Sequence, residues 1–415
     1  MVSIERLAGT ACRTDTLQLV AFTSPRIYAS RKPLSTRIQP FCSPTNLHTS
    51  KQHLPRFPQP LYRSFSTSRS SLSNPKFSYG IAASFTAKDR RYNPDTNVFN
   101  FNPYNHIRAR RKDKRTRPAS GQDAFFVSRV GESSDVALGV ADGVGGWVDS
   151  GVDPADFAHG ICDYMAHAAY THKAEEWNPP LGAQSLMQRG YDDIRRDDSV
   201  KAGGSTACVA VAKGDGKLEV ANLGDSGFVQ LRLNAIHDYS DPQTHAFNTP
   251  YQLSIVPEKV LAQAAFFGGE QLRDMPADAN ISQHELRHGD VLVIASDGVW
   301  DNLSSQDILR IVSKVMLGAK AWQHTDGGVG VGKNLSDFTV STVSNNGKGP
   351  AQNIPSLQSF LAVAITSQAK SASMNTRVDG PFAREVQRYY PHENWSGGKV
   401  DDICVVVAVV VEEGK

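Results

Sequence analysis

Residues 398–411 have the sequence Gly398-Lys399-Val400-Asp401-Asp402-Ile403-Cys404-Val405-Val406-Val407-Ala408-Val409-Val410-Val411. The nine apolar residues from Ile403 to Val411 are far short of the roughly 20 that cross a bilayer. A continuous Val/Ala run of this length is typical of a strand buried in a sheet. An aspartate at the mouth of a buried strand is costly unless it is paired or binds a cation. The stretch therefore predicts a buried strand with an acidic site at its start.

Three further aspartates lie in similar transitions between apolar residues and glycine. They are Asp123 in Gly121-Gln122-Asp123-Ala124, Asp142 in Val140-Ala141-Asp142-Gly143-Val144-Gly145-Gly146, and Asp297 in Ala295-Ser296-Asp297-Gly298-Val299-Trp300-Asp301. An Asp-Gly pair taken alone is most often only a turn. Several such pairs with hydrophobic strands leading to them indicate instead that folding gathers the aspartates around a hard cation. Oxygen-only carboxylate ligands suit Mg²⁺ or Mn²⁺ better than zinc.

Bulk composition places few limits on function. The chain has 415 residues, of which 40% are hydrophobic and 21% charged. This is ordinary for a soluble globular protein, with material for one large domain or two small ones. The five cysteines include no C-x-x-C pair, and none is followed by an arginine six residues later. The pattern fits buried thiols in a reducing compartment and excludes the loop of a cysteine-dependent phosphatase.

The N-terminal region has a distinct charge pattern. Residues 1–75 contain ten Lys and Arg but only two acids, Glu5 and Asp15, among many Ser, Thr and Pro. This composition predicts a mitochondrial transit peptide over residues 1–65, with cleavage after Phe65; a disordered cytosolic tail is the alternative. Removing residues 1–65 takes away nine basic and two acidic residues, a net +7, so the formal charge falls from +2 to −5. The basic pI of about 8.2 is therefore no argument for nucleic-acid binding.

The hydrophobic pattern from residue 124 onward predicts a mixed fold. The predicted strands are Ala124–Val130, Val136–Ala141, Thr206–Ala212, Lys217–Leu223, Gly227–Leu233, Val291–Ala295 and Ile403–Val411. The predicted helices are Pro154 to about Thr171, Ala183–Arg195, Ser305–Leu317 with Ser305 as cap, and Pro355–Ala369. Strands and helices come in blocks without strict alternation, which favours an α+β fold with antiparallel sheets over a doubly wound parallel fold. Residues 70–107 are polar and aromatic and are predicted to form a lead-in or a first strand.

Two other segments are weaker candidates for binding. The basic run at residues 108–117 is short and lacks interleaved aromatic residues, so a solvated or phosphate-facing loop is favoured over a nucleic-acid patch. Residues 324–350 are rich in Gly, Ser and Asn and predict a surface insertion. Within it, residues 327–334 resemble a phosphate-binding P-loop, but Asn334 stands where that motif requires Ser or Thr.

The ordered motifs resemble those of the PPM family, the metal-dependent type 2C Ser/Thr protein phosphatases. The residues that carry the resemblance are Gln122-Asp123-Ala124, Asp142-Gly143-Val144-Gly145-Gly146-Trp147, Gly204-Ser205-Thr206-Ala207, Gly224-Asp225-Ser226, Ser296-Asp297-Gly298-Val299-Trp300-Asp301 and Asp401-Asp402-Ile403. The motif at residues 142–147, together with Pro381-Phe382-Ala383 and Gly397-Gly398-Lys399-Val400-Asp401-Asp402, is most similar to the mitochondrial subfamily. The resemblance implies an α+β fold built as a four-layer αββα sandwich of two antiparallel sheets flanked by helices. The phosphatase domain would span residues 105–413, after a polar lead-in at 66–104.

The resemblance also implies at least two Mg²⁺ or Mn²⁺ ions in the active site. Asp142 would bridge two ions, and the carbonyl of Gly143 would bind one of them. Asp297 and Asp401 would complete this pair's ligands, and Asp123 would bind through water. A weaker third ion would be held by Asp225 and Asp301. Asp142, Asp297 and Asp401 are thus the implied catalytic residues, because two bound ions activate a water that attacks phosphorus directly.

Three departures from the family pattern bear on this site. Gln122 replaces a common Glu, so it adds no charge. Val144 replaces a common His, so the usual candidate for the acid that protonates the leaving group is missing. The family's phosphate-binding Arg is expected close to Pro118, and Arg117 is the nearest arginine.

The resemblance implies a phosphatase that removes phosphate from serine and threonine of mitochondrial proteins, in the matrix. Its partners would be phosphorylated proteins, such as those of coenzyme Q biosynthesis, with no nucleic acid and no membrane span. Two alternatives stay open: a catalytically inactive relative that binds phosphorylated ligands, and a metal hydrolase of small phosphate esters. Retention of Asp142, Asp297 and Asp401 argues against the first, whereas Gln122 and Val144 keep it open.

Overall fold

The structure is a computed structural model that describes residues 76–108, 113–173, 181–258, 274–340, 342–344 and 352–415. The predicted transit peptide and its processing site lie outside these residues, as does part of the predicted surface insertion. Among the helices of the described segments, none combines the length and the hydropathy needed to cross a membrane.

Strands make up most of the ordered core. They are β1 Phe77–Thr86, β2 Val98–Asn100, β3 Asp123–Arg129, β4 Val136–Asp142, β5 Gly203–Ser205, β6 Ala207–Ala212, β7 Lys217–Leu223, β8 Gly227–Arg232, β9 Ala235–Tyr239, β10 Thr244–Ala246, β11 Thr249–Pro250, β12 Leu253–Ile255, β13 Asn280–Glu285, β14 Val291–Ala295, β15 Trp322–Thr325, β16 Gly328–Val331, β17 Thr342–Ser344, β18 Gln352–Ile354 and β19 Ile403–Glu412. All seven predicted strands are confirmed, with ends that differ by no more than one residue.

The α-helices in the described part of the chain are α1 Pro154–Tyr170, α2 Ala183–Arg196, α3 Asp297–Trp300, α4 Ser305–Gly318, α5 Leu335–Phe338, α6 Leu357–Ser373 and α7 Pro381–Tyr389. The four predicted helices correspond to α1, α2, α4 and α6. The predicted cap of α4 was wrong by one residue. The N-cap is Ser304 and not Ser305. The Ser304 hydroxyl accepts the N–H of Asp307, and the Asp307 carboxylate accepts the N–H of Ser304, so the two residues form a capping box.

Two large antiparallel sheets form the centre of the fold. The six-stranded sheet has the order β2-β1-β19-β14-β8-β9, and the five-stranded sheet has the order β13-β7-β6-β4-β3. Helices α1 and α2 pack on the five-stranded sheet, α4 and α6 pack on the six-stranded sheet, and a third hydrophobic cluster lies between the sheets. The predicted α+β fold, with two antiparallel sheets flanked by helices in an αββα order, is therefore confirmed.

The apolar run of β19 shows why its side chains had to be hydrophobic on both faces. Val405 and Val407 pack in the cluster with α4 and α6, whereas Val406 and Val410 pack in the cluster between the sheets. Successive side chains of a strand point to opposite faces. This strand therefore buries every residue from Ile403 to Val411, and the alternation of polar and apolar positions disappears.

Strand β1 lies within the segment that the sequence predicted as a lead-in or a first strand. It pairs with β19 along its full length, from Phe77 opposite Glu412 to Thr86 opposite Ile403. Of the two predictions, a lead-in or a first strand, the structure shows the first strand. The six-stranded sheet therefore begins near residue 77.

The glycine-rich insertion begins as a hairpin of β15 and β16. The segment that resembles a P-loop overlaps β16, and Asn334 precedes the four-residue helix α5. A P-loop requires a buried strand followed by the glycine loop and a full helix. The described part of the insertion does not provide that arrangement.

Leu138 tests the core between the sheets, where it has no exposed surface. Leu138→Ala removes buried methyl groups and leaves a cavity, so we expect the free energy of unfolding to fall by about 2–5 kcal/mol. Unfolding in urea measures this loss. The control is Ile281→Ala on the edge strand β13, where the side chain is 43% exposed, and we expect a loss below about 1 kcal/mol there. Equal losses for both variants would contradict the position of Leu138 in this core.

Candidate active site

Two of the predicted ligands face each other on neighbouring strands. Asp123 is the first residue of β3 and Asp142 is the last residue of β4, and the antiparallel register places them directly opposite. The Cβ atoms of opposed residues are only about 5 Å apart, a distance at which like charges repel. The β3–β4 pair therefore brings together two carboxylates that need a compensating cation or proton.

The other two predicted ligands come from the six-stranded sheet. Asp297 begins α3, just after β14 ends at Ala295, and Asp401 lies two residues before β19. Ala295 pairs with Val405 in the β14–β19 ladder, so Asp297 and Asp401 lie at the same end of this sheet. The Asp142 and Asp297 carboxyl groups lie close enough that they would have to share a proton or a cation. The acidic ends of the two sheets are thus in contact.

Ser296 links these two ends. Its buried hydroxyl donates to Oδ2 of Asp123 at 2.6 Å and accepts the N–H of Cys404 at 3.0 Å. The other oxygen of Asp123, Oδ1, is buried and has no hydrogen-bond partner among the described residues. Leaving a buried carboxylate oxygen unpaired costs free energy. Asp123 Oδ1 is therefore available to a cation or to a water bound to one.

Burial and mutual repulsion shift the pKa values of the cluster. Burial, followed by the charges of the other aspartates, raises the pKa of Asp142 and of Asp123 well above the usual range. Burial and the charge of Asp297 raise the pKa of Asp225 to about 7. Burial also opposes the ionisation of Asp297, but the Lys399 ammonium and several hydrogen bonds outweigh it and lower the pKa of Asp297. The cluster therefore holds its full negative charge only when cations share the site.

Asp301 and Asp225, the predicted ligands of a third ion, both lie near Asp297. The N–H of Asp301 donates to the carbonyl of Asp297 at 2.7 Å, and the carboxyl groups of the two residues lie close together around Lys399 Nζ. Burial, followed by the charge of Asp297, raises the pKa of Asp301 well above its usual range. All six predicted aspartates thus belong to one electrostatically connected cluster.

The predicted serine and threonine motifs support Asp142. Thr206 Oγ1 accepts the N–H of Asp142 at 3.2 Å and is hydrogen-bonded to Ser226 Oγ at 2.8 Å. The N–H of Thr206 donates to the carbonyl of Asp142 at 2.9 Å. Because β6 and β7 pair as neighbours, the two motifs at their ends come together and fix the main chain of Asp142.

Lys399 is a member of the cluster whose role sequence reasoning missed. Its Nζ donates to Asp297 Oδ2 at 2.7 Å and to Asp301 Oδ2 at 2.6 Å, and lies 3.2 Å from Asp401 Oδ2. Burial alone would lower the pKa of Lys399, but the charges of these three carboxylates outweigh it and raise that pKa. The one signal in the sequence was its place two residues before Asp401. Nothing there pairs it with Asp297, which is 102 residues away.

Asp402 has a different role from the adjacent Asp401. Its buried carboxylate accepts the N–H of Lys88 at 2.6 Å and the N–H of Gln122 at 2.8 Å. Gly121 has a φ of +72°, and a Cβ at this position would lie 2.3 Å from the Asp402 carboxyl. Asp402 therefore fixes the main chain of two neighbouring loops. Its charge also raises the pKa of the nearby Asp123, but Asp401 is the member of the pair that contacts Lys399.

Gly143 and Val144 are placed by the same loops. The N–H of Gly143 donates to the carbonyl of Gln122 at 3.2 Å, and a Cβ on residue 143 would lie 2.8 Å from that oxygen. The N–H of Val144 donates to the carbonyl of Gly204 at 3.0 Å. The first departure, Gln122, thus acts here through its main chain. The second, Val144, contributes no ionisable group.

Arg117 forms an ion pair with Asp156 in the first turn of α1, with Nη2 2.7 Å from Oδ1. Lys114 contacts the same carboxylate. The Nε of Arg117 is buried and has no hydrogen-bond partner among the described residues. The assignment of Arg117 to the substrate phosphate stays a prediction.

The donor set fits a hard divalent cation. The candidate ligands are all carboxylate or main-chain oxygens, one buried oxygen of Asp123 has no partner, and repulsion within the cluster disfavours its full ionisation. As they stand, no three His, Cys, Asp or Glu side chains of the described residues are arranged to hold one ion. The Lys399 ammonium lies among three of the carboxylates instead.

Comparison with known proteins gives consistent results. Residues 112–337 match the protein phosphatase 2C family. The chain is 33% identical over 336 residues to "Protein phosphatase 2C homolog 7, mitochondrial" of Saccharomyces cerevisiae, covering 80% of this chain and 83% of that protein. It is 32% identical to "Protein phosphatase PTC7 homolog" of Homo sapiens, covering 70% and 80%. Among solved structures, the photosystem II phosphatase PBCP matches with a TM-score of 0.49 and 25% identity, covering 70% of this chain and 92% of that one.

Asp401 and Asp402 are a matched pair that tests the division of roles described above. Asp402→Ala leaves the N–H groups of Lys88 and Gln122 without their acceptor, so we expect a loss of roughly 3 kcal/mol in the free energy of unfolding. Asp401→Ala removes a carboxylate whose ionisation is opposed by burial and by Asp297, so we expect a change below about 1 kcal/mol. Urea unfolding in the presence of a chelator measures both. A larger loss for Asp401→Ala would contradict the assignment.

Proposed function

Since this chain belongs to the protein phosphatase 2C family of Ser/Thr protein phosphatases, we propose that its aspartate cluster catalyses dephosphorylation with bound Mg²⁺ or Mn²⁺. The observation that carries this proposal is the meeting of Asp123 and Asp142 with Asp297 at the ends of two different sheets. A fold that buries repelling carboxylates at one point gains from a cation there. The family membership predicted from the motifs is confirmed.

We assign Asp123, Asp142, Asp297 and Asp401 to at least two ions, together with the carbonyl of Gly143. When bound, such ions neutralise the charge of the phosphoryl group and activate water as the nucleophile. This chemistry agrees with a chain that offers no cysteine-dependent phosphatase loop. We assign Asp225 and Asp301 to a weaker third ion.

The surrounding residues orient these ligands. Ser296 holds one oxygen of Asp123 and leaves the other free, and Thr206 fixes the main chain on both sides of the Asp142 α-carbon. Lys399 places a positive charge beside Asp297 and Asp301. Such preorganised charges stabilise the negative charge of a phosphoryl group without further rearrangement. Residue 144 is a valine, so the proton for the leaving serine or threonine oxygen comes from another donor.

We retain Arg117 as the proposed ligand of the substrate phosphate. Its ion pair with Asp156 fixes the guanidinium, and Nε remains without a partner among the described residues. A guanidinium presents five donors in a fixed plane, so one carboxylate does not use all of them.

We further propose that the enzyme acts on phosphorylated proteins of the mitochondrial matrix. The Saccharomyces cerevisiae relative is named as mitochondrial, and residues 1–65 have the basic, acid-poor composition of a transit peptide. The resemblance to mitochondrial family members makes proteins of coenzyme Q biosynthesis candidate substrates.

Asp297→Asn tests the proposed chemistry in the full chain. The variant keeps the size of the side chain but loses a charged ligand, so we expect metal-dependent hydrolysis of a phosphothreonine peptide to fall by at least about 100-fold. Turnover of the peptide and of an aryl phosphate is measured with Mn²⁺, with Mg²⁺ and with chelator.

Asp198→Asn is the matched control, because the Asp198 side chain is fully exposed; we expect wild-type rates. Activity that persists in chelator would contradict the metal-dependent mechanism. Turnover of the aryl phosphate without turnover of the peptide would favour a hydrolase of small phosphate esters.

Import into isolated mitochondria tests the proposed location. We expect the full chain to be taken up, protected from added protease and shortened, with Ser66 as the new N-terminal residue. N-terminal sequencing of the imported protein identifies the cleavage site. A chain that stays accessible to protease at its full length would contradict the proposal.

A further inference from the structure

The Lys399 ammonium lies among three carboxylates of the aspartate cluster. Its Nζ lies 2.7 Å from Asp297, 2.6 Å from Asp301 and 3.2 Å from Asp401. An ammonium has three N–H donors and no acceptor. Two of its N–H groups donate to Asp297 and Asp301, and Asp401 lies within ion-pair distance, so the contact is more than a surface ion pair.

Hydrogen bonds to its main chain and a contact with its side chain hold Lys399 in place. The Lys399 N–H donates to Asn302 Oδ1 at 2.9 Å, and its carbonyl accepts from Asn302 Nδ2 at 2.8 Å. Asn302 is buried and directly follows Asp301. The Phe382 ring centroid lies 4.9 Å from Nζ, a distance at which a ring attracts a cation. The side chain is only 15% exposed.

We propose that Lys399 is a built-in cation of the active site, which holds Asp301 in place of a divalent ion, so that a third ion binds only by displacing the lysine. This inference rests on the proposed function, because it assumes that Asp142, Asp297 and Asp401 bind the first two ions. Asp301 makes the shortest contact with Nζ, and the first two ions do not require it. Asp301 therefore stays paired with the Lys399 ammonium when Asp297 and Asp401 bind the first two ions.

Charge repulsion explains why the Lys399 ammonium and a third divalent ion would compete for Asp301. A divalent ion on Asp301 would lie within a few ångströms of the ammonium, where two positive charges repel strongly in a partly buried site. The lysine is covalently attached, so its local concentration does not fall when metal is scarce. A neutral residue at position 399 should therefore convert a weak third site into a stronger one, and should leave Asp297 and Asp301 repelling each other when no metal is present.

The experiment counts Mn²⁺ ions on the full chain. Chelator-treated protein is titrated with Mn²⁺, and the free aqueous ion is followed by its electron paramagnetic resonance signal. We expect two tightly bound ions for the wild type. For Lys399→Gln we expect an additional ion, bound at least about tenfold more tightly than any third ion of the wild type.

Four further variants separate charge from structure. Lys399→Arg retains a cation and should bind Mn²⁺ as the wild type does. Lys399→Met, which keeps an aliphatic stem beside Phe382, is a second neutral variant. Lys399→Gln combined with Asp301→Asn should lose the additional ion. Lys88→Gln is the matched control, because Lys88 Nζ lies 3.8 Å from Asp401 but is 45% exposed, and it should not change the number of ions.

Thermal unfolding provides a second readout that does not depend on activity. In chelator, Lys399→Gln should melt at a lower temperature than the wild type, and saturating Mn²⁺ should raise its melting temperature by more. Two neutral variants that match the wild type in ion number, affinity and melting temperature would overturn the inference, as would an additional ion that persists after Asp301→Asn. If the wild type itself bound no Mn²⁺, the proposed two-metal function would fail too, which distinguishes the two outcomes.

Discussion

Repulsion among buried carboxylates is the constraint on which the rest of this structure depends. Asp123 faces Asp142 across two strands, and Asp297 contacts Asp142 from the other sheet. Two like charges about 4 Å apart repel by about 4 kcal/mol at an effective dielectric constant of 20. Each Val, Leu or Ile buried between the sheets contributes about 1.5–3 kcal/mol, and many such side chains fill that core. The free energy gained by burying apolar side chains between the sheets therefore exceeds the repulsion between the carboxylates at their ends.

The strands and their acidic ends could be predicted because both leave local signals. A continuous run such as Ile403–Val411 has one stable place, inside a sheet that is covered on both faces. An aspartate at its mouth must be hydrogen-bonded, paired or bound to a cation. Strand β1 was harder to predict. Its sequence, Phe77–Thr86, mixes Ser, Gly and Thr with apolar residues, and only its pairing with β19 shows that these small residues belong inside the six-stranded sheet.

The division of roles within Asp401-Asp402 could not be predicted from the sequence, since the two side chains have the same chemistry. Consecutive residues of an extended chain point to opposite sides. Asp401 accordingly joins Lys399 in the cluster, whereas Asp402 accepts main-chain N–H groups from two loops that are far away in sequence. Such contacts depend on where those loops lie after folding. The pairing of Lys399 with Asp297 and Asp301 could not be predicted for the same reason, because it joins segments that are far apart in sequence.

The position of Lys399 also reduces the repulsion among the carboxylates that surround it. A cluster without any internal cation would have to be protonated, or would resist folding, until ions arrived. One ammonium shared by Asp297, Asp301 and Asp401 removes part of that repulsion in advance. Because the lysine and Asp401 lie on the same segment before β19, the strand that brings a carboxylate into the site brings a positive charge with it. Strand β19 pairs with both β14 and β1, so the segment that places Asp401 in the cluster also places the Lys399 ammonium there. Asp123 and Asp142, which Lys399 does not contact, keep the stronger need for an external cation.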